Sequence, residues 1–113
     1  MVNSERAVAG CKPLRVDHRL VRAATAHSAD MSRRGYFSHT TPEGVTFGER
    51  IRRAGYPKPG AENIAHGQTS ARQVVDDWLA SPGHHRNIVN CEFKAIGIGV
   101  GPNGEIWTQD FGY

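Results

Sequence analysis

Ala95-Ile96-Gly97-Ile98-Gly99-Val100-Gly101, then Pro102-Asn103-Gly104, then Glu105-Ile106-Trp107-Thr108-Gln109-Asp110-Phe111: this stretch decides the architecture. Two strand-like runs joined by Asn-Gly predict a β-hairpin. Side chains alternate across a strand, so Ile96, Ile98 and Val100 share one face while the other carries only glycines. The apolar face calls for a hydrophobic layer. The bare face lets a helix approach the sheet backbone closely.

Working outward, the candidate helices supply both layers. Asp17 is placed to cap a long helix that Gly35 ends, with Leu20, Ala24, His27 and Met31 on one face. Asp30 and Arg34 are spaced to pair across one turn. Ser70 and Gln73 match a capping box ahead of Val74, Val75, Trp78 and Leu79, a second apolar face, with Asp76 and Asp77 turned to water. Thr46 and Glu49 form another box, predicting a helix from about Phe47 to Ala54 whose Arg50, Arg52 and Arg53 make a wet face. A short helix is expected over residues 3–9, capped by Asn3 or Ser4 and ended by Gly10. Ala61-Glu62-Asn63-Ile64-Ala65 reads as a short buried strand, and a carboxylate there must find a partner or protonate.

At 113 residues with 38% hydrophobic and 22% charged, the chain fits one domain spanning residues 1–113. The formal net charge of +3 comes from arginines interleaved with acids, and no basic cluster with groove-reading elements points to nucleic acid. No run reaches the ~18 apolar residues of a membrane span, and no leader-like apolar segment opens the chain. Cys11 and Cys91 lie near opposite ends without zinc or thioredoxin spacing. They are either a bridge, which suggests an oxidising compartment, or two buried thiols. A secreted monomer whose leader has been removed reconciles these features.

Ser81-Pro82-Gly83-His84-His85-Arg86-Asn87-Ile88 opens a helix, with Ser81 as cap and proline at the first helical position. His84 then sits at the third position, where the helix dipole disfavours imidazolium. The polar residues able to work together are His39, Glu62, Ser81 and His84, with Ser38, His66 and His85 as competitors. Two histidines and one carboxylate suit a divalent metal such as zinc with open positions. Ser38 with His39 or His84 as base and Glu62 as orienter would suit hydrolysis, although no nucleophile-elbow motif is present. Glu62 could equally brace two loops through hydrogen bonds to both histidines.

Phe37-Ser38-His39, Ala61-Glu62-Asn63-Ile64, Val75-x-x-Trp78, Ser81-Pro82-Gly83-His84, Asn87-Ile88, Ile96-Gly97-Ile98-Gly99-Val100 and Trp107-Thr108-Gln109-Asp110-Phe111-Gly112 occur in the order of the CAP superfamily, also called SCP/PR-1-like. Over nearly its whole length the chain resembles the bacterial secreted branch. The resemblance implies an α+β fold, a three-layer α-β-α sandwich with a small, mainly antiparallel central sheet, together with export and a solvent-exposed cavity. It places the cavity histidines on His39 and His84 and the first acid on Glu62. The second acid falls on Ser81, which adds no negative charge and so weakens the field for a cation. The reading is a secreted domain whose His39, Glu62, Ser81 and His84 line a cavity for a small ligand, a divalent metal or a cell-envelope component. The alternatives are an extracellular hydrolase of protein or cell wall, metal-assisted or serine-dependent, and a non-catalytic interaction protein whose His/Glu cluster is structural.

Overall fold

The computed structural model describes residues 1–113. In chain order the elements are α1 (Val2–Val8), β1 (Arg15–Val16), α2 (His18–Arg34), α3 (Phe47–Arg53), β2 (Pro59–His66), α4 (Ala71–Ala80), α5 (Pro82–Ile88), β3 (Ala95–Val100) and β4 (Ile106–Gly112). The strands form one sheet in the order β1-β3-β4-β2, with β1 parallel to β3 and the other two pairings antiparallel. This is the expected α-β-α sandwich.

The bare face of β3 receives α2. A Cβ on Gly97 would overlap the backbone of Leu20 and Val21, and one on Gly99 would overlap that of Thr25. Ser28 seals the approach, its hydroxyl 2.7 Å from that of Thr108 on β4 and donating to the Gly99 carbonyl at 3.3 Å. Gly97→Ala is therefore expected to cost about 1–3 kcal/mol, because the neighbour is helix backbone that cannot step aside. Urea unfolding followed by tryptophan fluorescence checks this; an unchanged midpoint would mean that α2 can lift away freely. The opposite face packs Ile96, Trp107 and Phe111 against Val74, Val75 and Trp78 of α4 and Ile88 of α5. Trp78 keeps its indole N–H satisfied by donating to the Ile64 carbonyl at 3.1 Å.

The local signals hold where side chain and backbone meet within a few residues. Asp17 accepts from the Arg19 N–H at 2.9 Å, Gly35 ends α2 with φ +67°, and Thr46 and Glu49 close a full capping box. Hydrogen bonds from Arg19 hold the Asp17 carboxyl far below the usual carboxylate range despite its burial. Three expectations are corrected. Met1, not Asn3 or Ser4, occupies the cap of α1, since Asn3 instead pins Leu14 through both its amide oxygen (2.8 Å) and its amide nitrogen (3.2 Å). Gln73 reaches past Ser70 to the Thr69 N–H at 2.9 Å, so that box is not reciprocal. Ser81 stands at the cap of α5 with Pro82 in the first turn, but its hydroxyl makes no capping bond and only its carbonyl joins the helix, accepting from His85 at 2.8 Å.

Cys11 and Cys91 form a disulfide with a sequence separation of 80. Beside it, the fully buried Arg6 donates to four carbonyls, of Lys12, Ile88, Asn90 and Phe93, at 2.8–3.1 Å. A buried guanidinium needs such partners, and here they tie α1 to the end of α5 and the start of β3.

Candidate functional site

Glu62 sits mid-strand in β2, its carboxylate wholly buried on the α2 face. The charge is compensated by Arg50, whose Nη1 and Nη2 donate to Oε2 at 2.9 Å and Oε1 at 2.8 Å in a bidentate fork. Arg50 Nη2 also donates to the His39 carbonyl at 2.8 Å, and His39 Nδ1 donates to Glu62 Oε1 at 2.9 Å. Burial opposes ionisation of Glu62, but His39, Asp110 and Arg50 together outweigh it and hold the carboxyl below its ordinary value.

Arg50 corrects the expected wet face of α3: only 12% of its side chain is exposed. The periodicity holds a usable sign, since Phe47, Arg50, Ile51 and Ala54 fall on one side of a helix, and Phe47, Ile51 and Ala54 all pack into the same cluster. A buried strand carboxylate twelve residues downstream is the partner such an arginine requires.

Asp110 is the second residue missed, and unlike Arg50 no local sequence signal reveals it. It lies on β4 in register with Glu62 on one side and Gly97 on the other, fully buried, its carboxyl beside that of Glu62. Burial and the adjacent Glu62 charge push it well above the ordinary carboxylate range, which favours the protonated acid. The unfolded chain releases this proton near the ordinary value of 3.8 whereas the folded chain keeps it, so Asp110 costs stability as pH rises above that point. Asp110→Asn is isosteric and does not titrate. It is expected to raise stability at pH 7 by on the order of 1 kcal/mol or more, with the gain vanishing near pH 3. Thermal melts of both proteins across that range check the sign, and an equal effect at both pH values would mean that Asp110 is ionised in the fold.

His39 is 48% exposed and, with Glu62, lines a cavity of about 370 Å³ bordered by Thr46, Phe47, Gly60 and Asn87. Nδ1 is held by the carboxylate, which leaves Nε2 as the ring nitrogen without a partner in the protein. His84 and Ser81 lie beyond this lining. His84 is half-buried at the third position of α5, and burial, followed by the nearness of His39, lowers its pKa and favours the neutral ring. Burial thus leads where the helix dipole was expected to act. The α5 backbone is anchored to the sheet by a buried amide chain. Asn63 donates to the His84 carbonyl at 3.2 Å and to Gln109 at 2.9 Å, and Asn87 donates to Asn63 at 2.8 Å.

The competitors stand apart. Ser38 spends its hydroxyl oxygen on the Thr40 N–H at 3.1 Å and its carbonyl on His27 Nε2 at 2.8 Å. His66 is exposed at the end of β2, near the Phe37 ring, and His85 lies in the last turn of α5. For a divalent ion such as zinc, His39, Glu62 and His84 do not fit as arranged. Both Glu62 oxygens are engaged by a guanidinium that already supplies the positive charge, and no three His, Cys, Asp or Glu side chains converge on one point.

A glycine-bare strand under one helix layer, an apolar layer opposite, and a carboxylate-braced histidine opening onto a cavity define a CAP-type domain. The chain belongs to the Cysteine-rich secretory protein family, CAP, whose profile it matches over residues 1–111. It is 40% identical over 112 residues to the Bacillus subtilis protein YkwD, covering 98% of this chain and 44% of that one. Against the B. subtilis membrane protein YlbC the identity is 29%, covering 98% and 32%. The chain thus spans less than half the length of these curated relatives. Among solved structures, an extracellular protein containing an SCP domain from Bacillus anthracis superposes with TM-score 0.89 at 34% identity, covering 98% of this chain and 37% of that one. An outer surface protein of Borrelia burgdorferi shares the fold at TM-score 0.84 and 23% identity, covering 98% and 85%.

Proposed function

We propose that this chain is an extracellular CAP domain whose cavity binds a small polar ligand or a cell-envelope component through His39. The observation that supports this most is a half-exposed imidazole whose orientation is fixed by a wholly buried, arginine-clamped carboxylate. Ring and tautomer are set before any ligand arrives, so little freedom is lost on binding. Nε2 then accepts a hydrogen bond from a ligand O–H or N–H, and neutral His84 adds a second polar ring nearby. The disulfide and the extracellular B. anthracis relative support export, and no helix is long and apolar enough to cross a membrane.

The same pairing supports a second reading. A carboxylate-oriented imidazole is the arrangement a general base needs, so His39 would activate a water against a peptide or cell-wall bond. Co-sedimentation with purified bacterial cell wall, comparing wild type with His39→Ala, tests the binding role. Loss of binding with native near-ultraviolet circular dichroism retained is expected, alongside a lower melting temperature from the lost Glu62 hydrogen bond, and equal retention of both proteins would overturn it. Products released from cell wall or denatured protein by wild type but not by Glu62→Gln would move the assignment to hydrolysis. Heat on zinc titration of wild type, absent in His39→Ala, would move it to metal binding.

A further inference from the structure

A cleft of about 630 Å³ lies beside the Cys11–Cys91 bridge and shares no lining residue with the His39 cavity. One wall is the segment 10–15 and the other the segment 91–94. The disulfide joins the walls at one end, and at the other the Arg15 N–H donates to the Lys94 carbonyl at 3.0 Å. The walls are therefore tied together before anything enters.

The charge of this cleft is of one sign. Lys12, Arg15 and Lys94 line it, all three exposed, and no acid does. Every ion pair of the protein is made by an arginine or a histidine, so both lysines are without carboxylate partners, while Arg15 shares Asp17 with Arg19. Glu92 is exposed on the 91–94 segment and lies outside the lining.

A further positive charge stands behind the walls. The fully buried Arg6 donates to the Lys12 carbonyl at 3.0 Å and to the Phe93 carbonyl at 3.1 Å, one from each wall. Its other acceptors are also neutral carbonyls, so no carboxylate pairs with this guanidinium. A buried charge is screened less than an exposed one, and a cleft lined by one sign of charge focuses the field. Lys58 extends the same edge: its carbonyl accepts from the Tyr113 N–H at 3.0 Å, and the Tyr113 ring lies 5.1 Å from that of Phe93. All three lysines of the chain thus gather at one end of the sheet.

We propose that this cleft docks a phosphodiester polymer of a bacterial cell envelope, with successive phosphates drawn to Lys12, Arg15 and Lys94. Ammonium groups on flexible stems act as separate point charges, which suits a repeating anion better than one planar group. The choice of an envelope polymer over nucleic acid rests on the extracellular reading. It is independent of what the His39 cavity binds.

The test is titration calorimetry of the intact chain at low salt with lipid-free poly(glycerol phosphate), with single-stranded DNA and with inorganic phosphate, matched in total phosphate. Saturable binding of the polymer is expected, with weaker binding of DNA and of phosphate. Lys12→Gln with Lys94→Gln should weaken polymer binding by about tenfold or more at an unchanged melting temperature. Arg33→Gln with Arg72→Gln removes the same charge from side chains that are 77% and 82% exposed and should leave the affinity within about twofold of wild type. His39→Ala should bind the polymer as wild type does. At about 1 M salt, where the Debye length is ~3 Å, the polymer should be released, so retention on cell wall through His39 is read separately there. The proposal is overturned by any of four results: no binding of the polymer, equal losses in the two double variants, loss of polymer binding in His39→Ala, or DNA or inorganic phosphate bound as tightly as the polymer.

Discussion

Arg50→Ala is expected to destabilise the protein by about 3–5 kcal/mol, the cost of leaving a buried carboxylate without its cation. That is a large part of the roughly 5–15 kcal/mol by which a domain is stable, so the variant should be marginal at 37 °C. Arg50→Lys is expected to recover only part of the loss, since an ammonium cannot reproduce the bidentate fork that reaches both Glu62 oxygens. The pH dependence separates this mechanism from simple loss of packing. In the wild type Glu62 titrates below its ordinary value of 4.5, so its contribution is present above that pH and is lost as pH falls towards the folded value. Without Arg50, burial drives the same carboxyl upward. The deficit of Arg50→Ala should therefore be greatest near neutrality and narrow below about pH 4. Urea unfolding at several pH values measures it, and a pH-independent deficit would show that the guanidinium acts through its contacts alone.

Removing the Cys11–Cys91 bridge, by Cys11→Ala with Cys91→Ala, is expected to cost about 4.5 kcal/mol on the chain-entropy account, because the crosslink spans 80 residues. The native structure should survive, since Arg6 still ties α1 to the α5–β3 connection through four carbonyls. The expected signature is a lower unfolding midpoint with native near-ultraviolet circular dichroism retained. A loss under about 1 kcal/mol would mean that the unfolded chain already holds its ends together.

The architecture is readable wherever one short stretch carries the whole physical reason. Gly97 and Gly99 announce a helix against bare backbone, Asn103-Gly104 announces the hairpin, and Asp17 and Gly35 bound α2, each through a contact a few residues long. Glu62 announces its own need for a partner, because a charge inside an apolar strand cannot be left alone. What stays hidden depends on pairing across the sheet. Nothing local to Asp110 says that it will stand beside Glu62, since that follows from the β2–β4 register. Three arginines in one turn of α3 suggest water, and only the fixed position of β2 singles out Arg50 among them. Ser81 shows the converse error: its residue type suits a cap, yet a hydroxyl makes a capping bond only if its rotamer faces the helix end. The resemblance to CAP proteins selects His39, Glu62 and His84, but the amide chain of Asn63, Gln109 and Asn87 that anchors α5 requires the folded sheet.

Gly97, Asp110 and Glu62 stand on a single rung across β3, β4 and β2. The missing side chain that lets α2 lie against the sheet is therefore on the same line as the two carboxyls. Interlayer spacing here acts as a control on the local dielectric. While the helix backbone rests on Gly97, water is kept from Asp110 and the acid holds its proton. A substitution that lifts α2 admits solvent and so removes part of the burial that holds the acid's pKa up, while the Glu62 charge beside it remains. Packing and acidity on this rung form one variable, so Gly97→Ala should lower the pKa of Asp110 while leaving that residue itself unchanged.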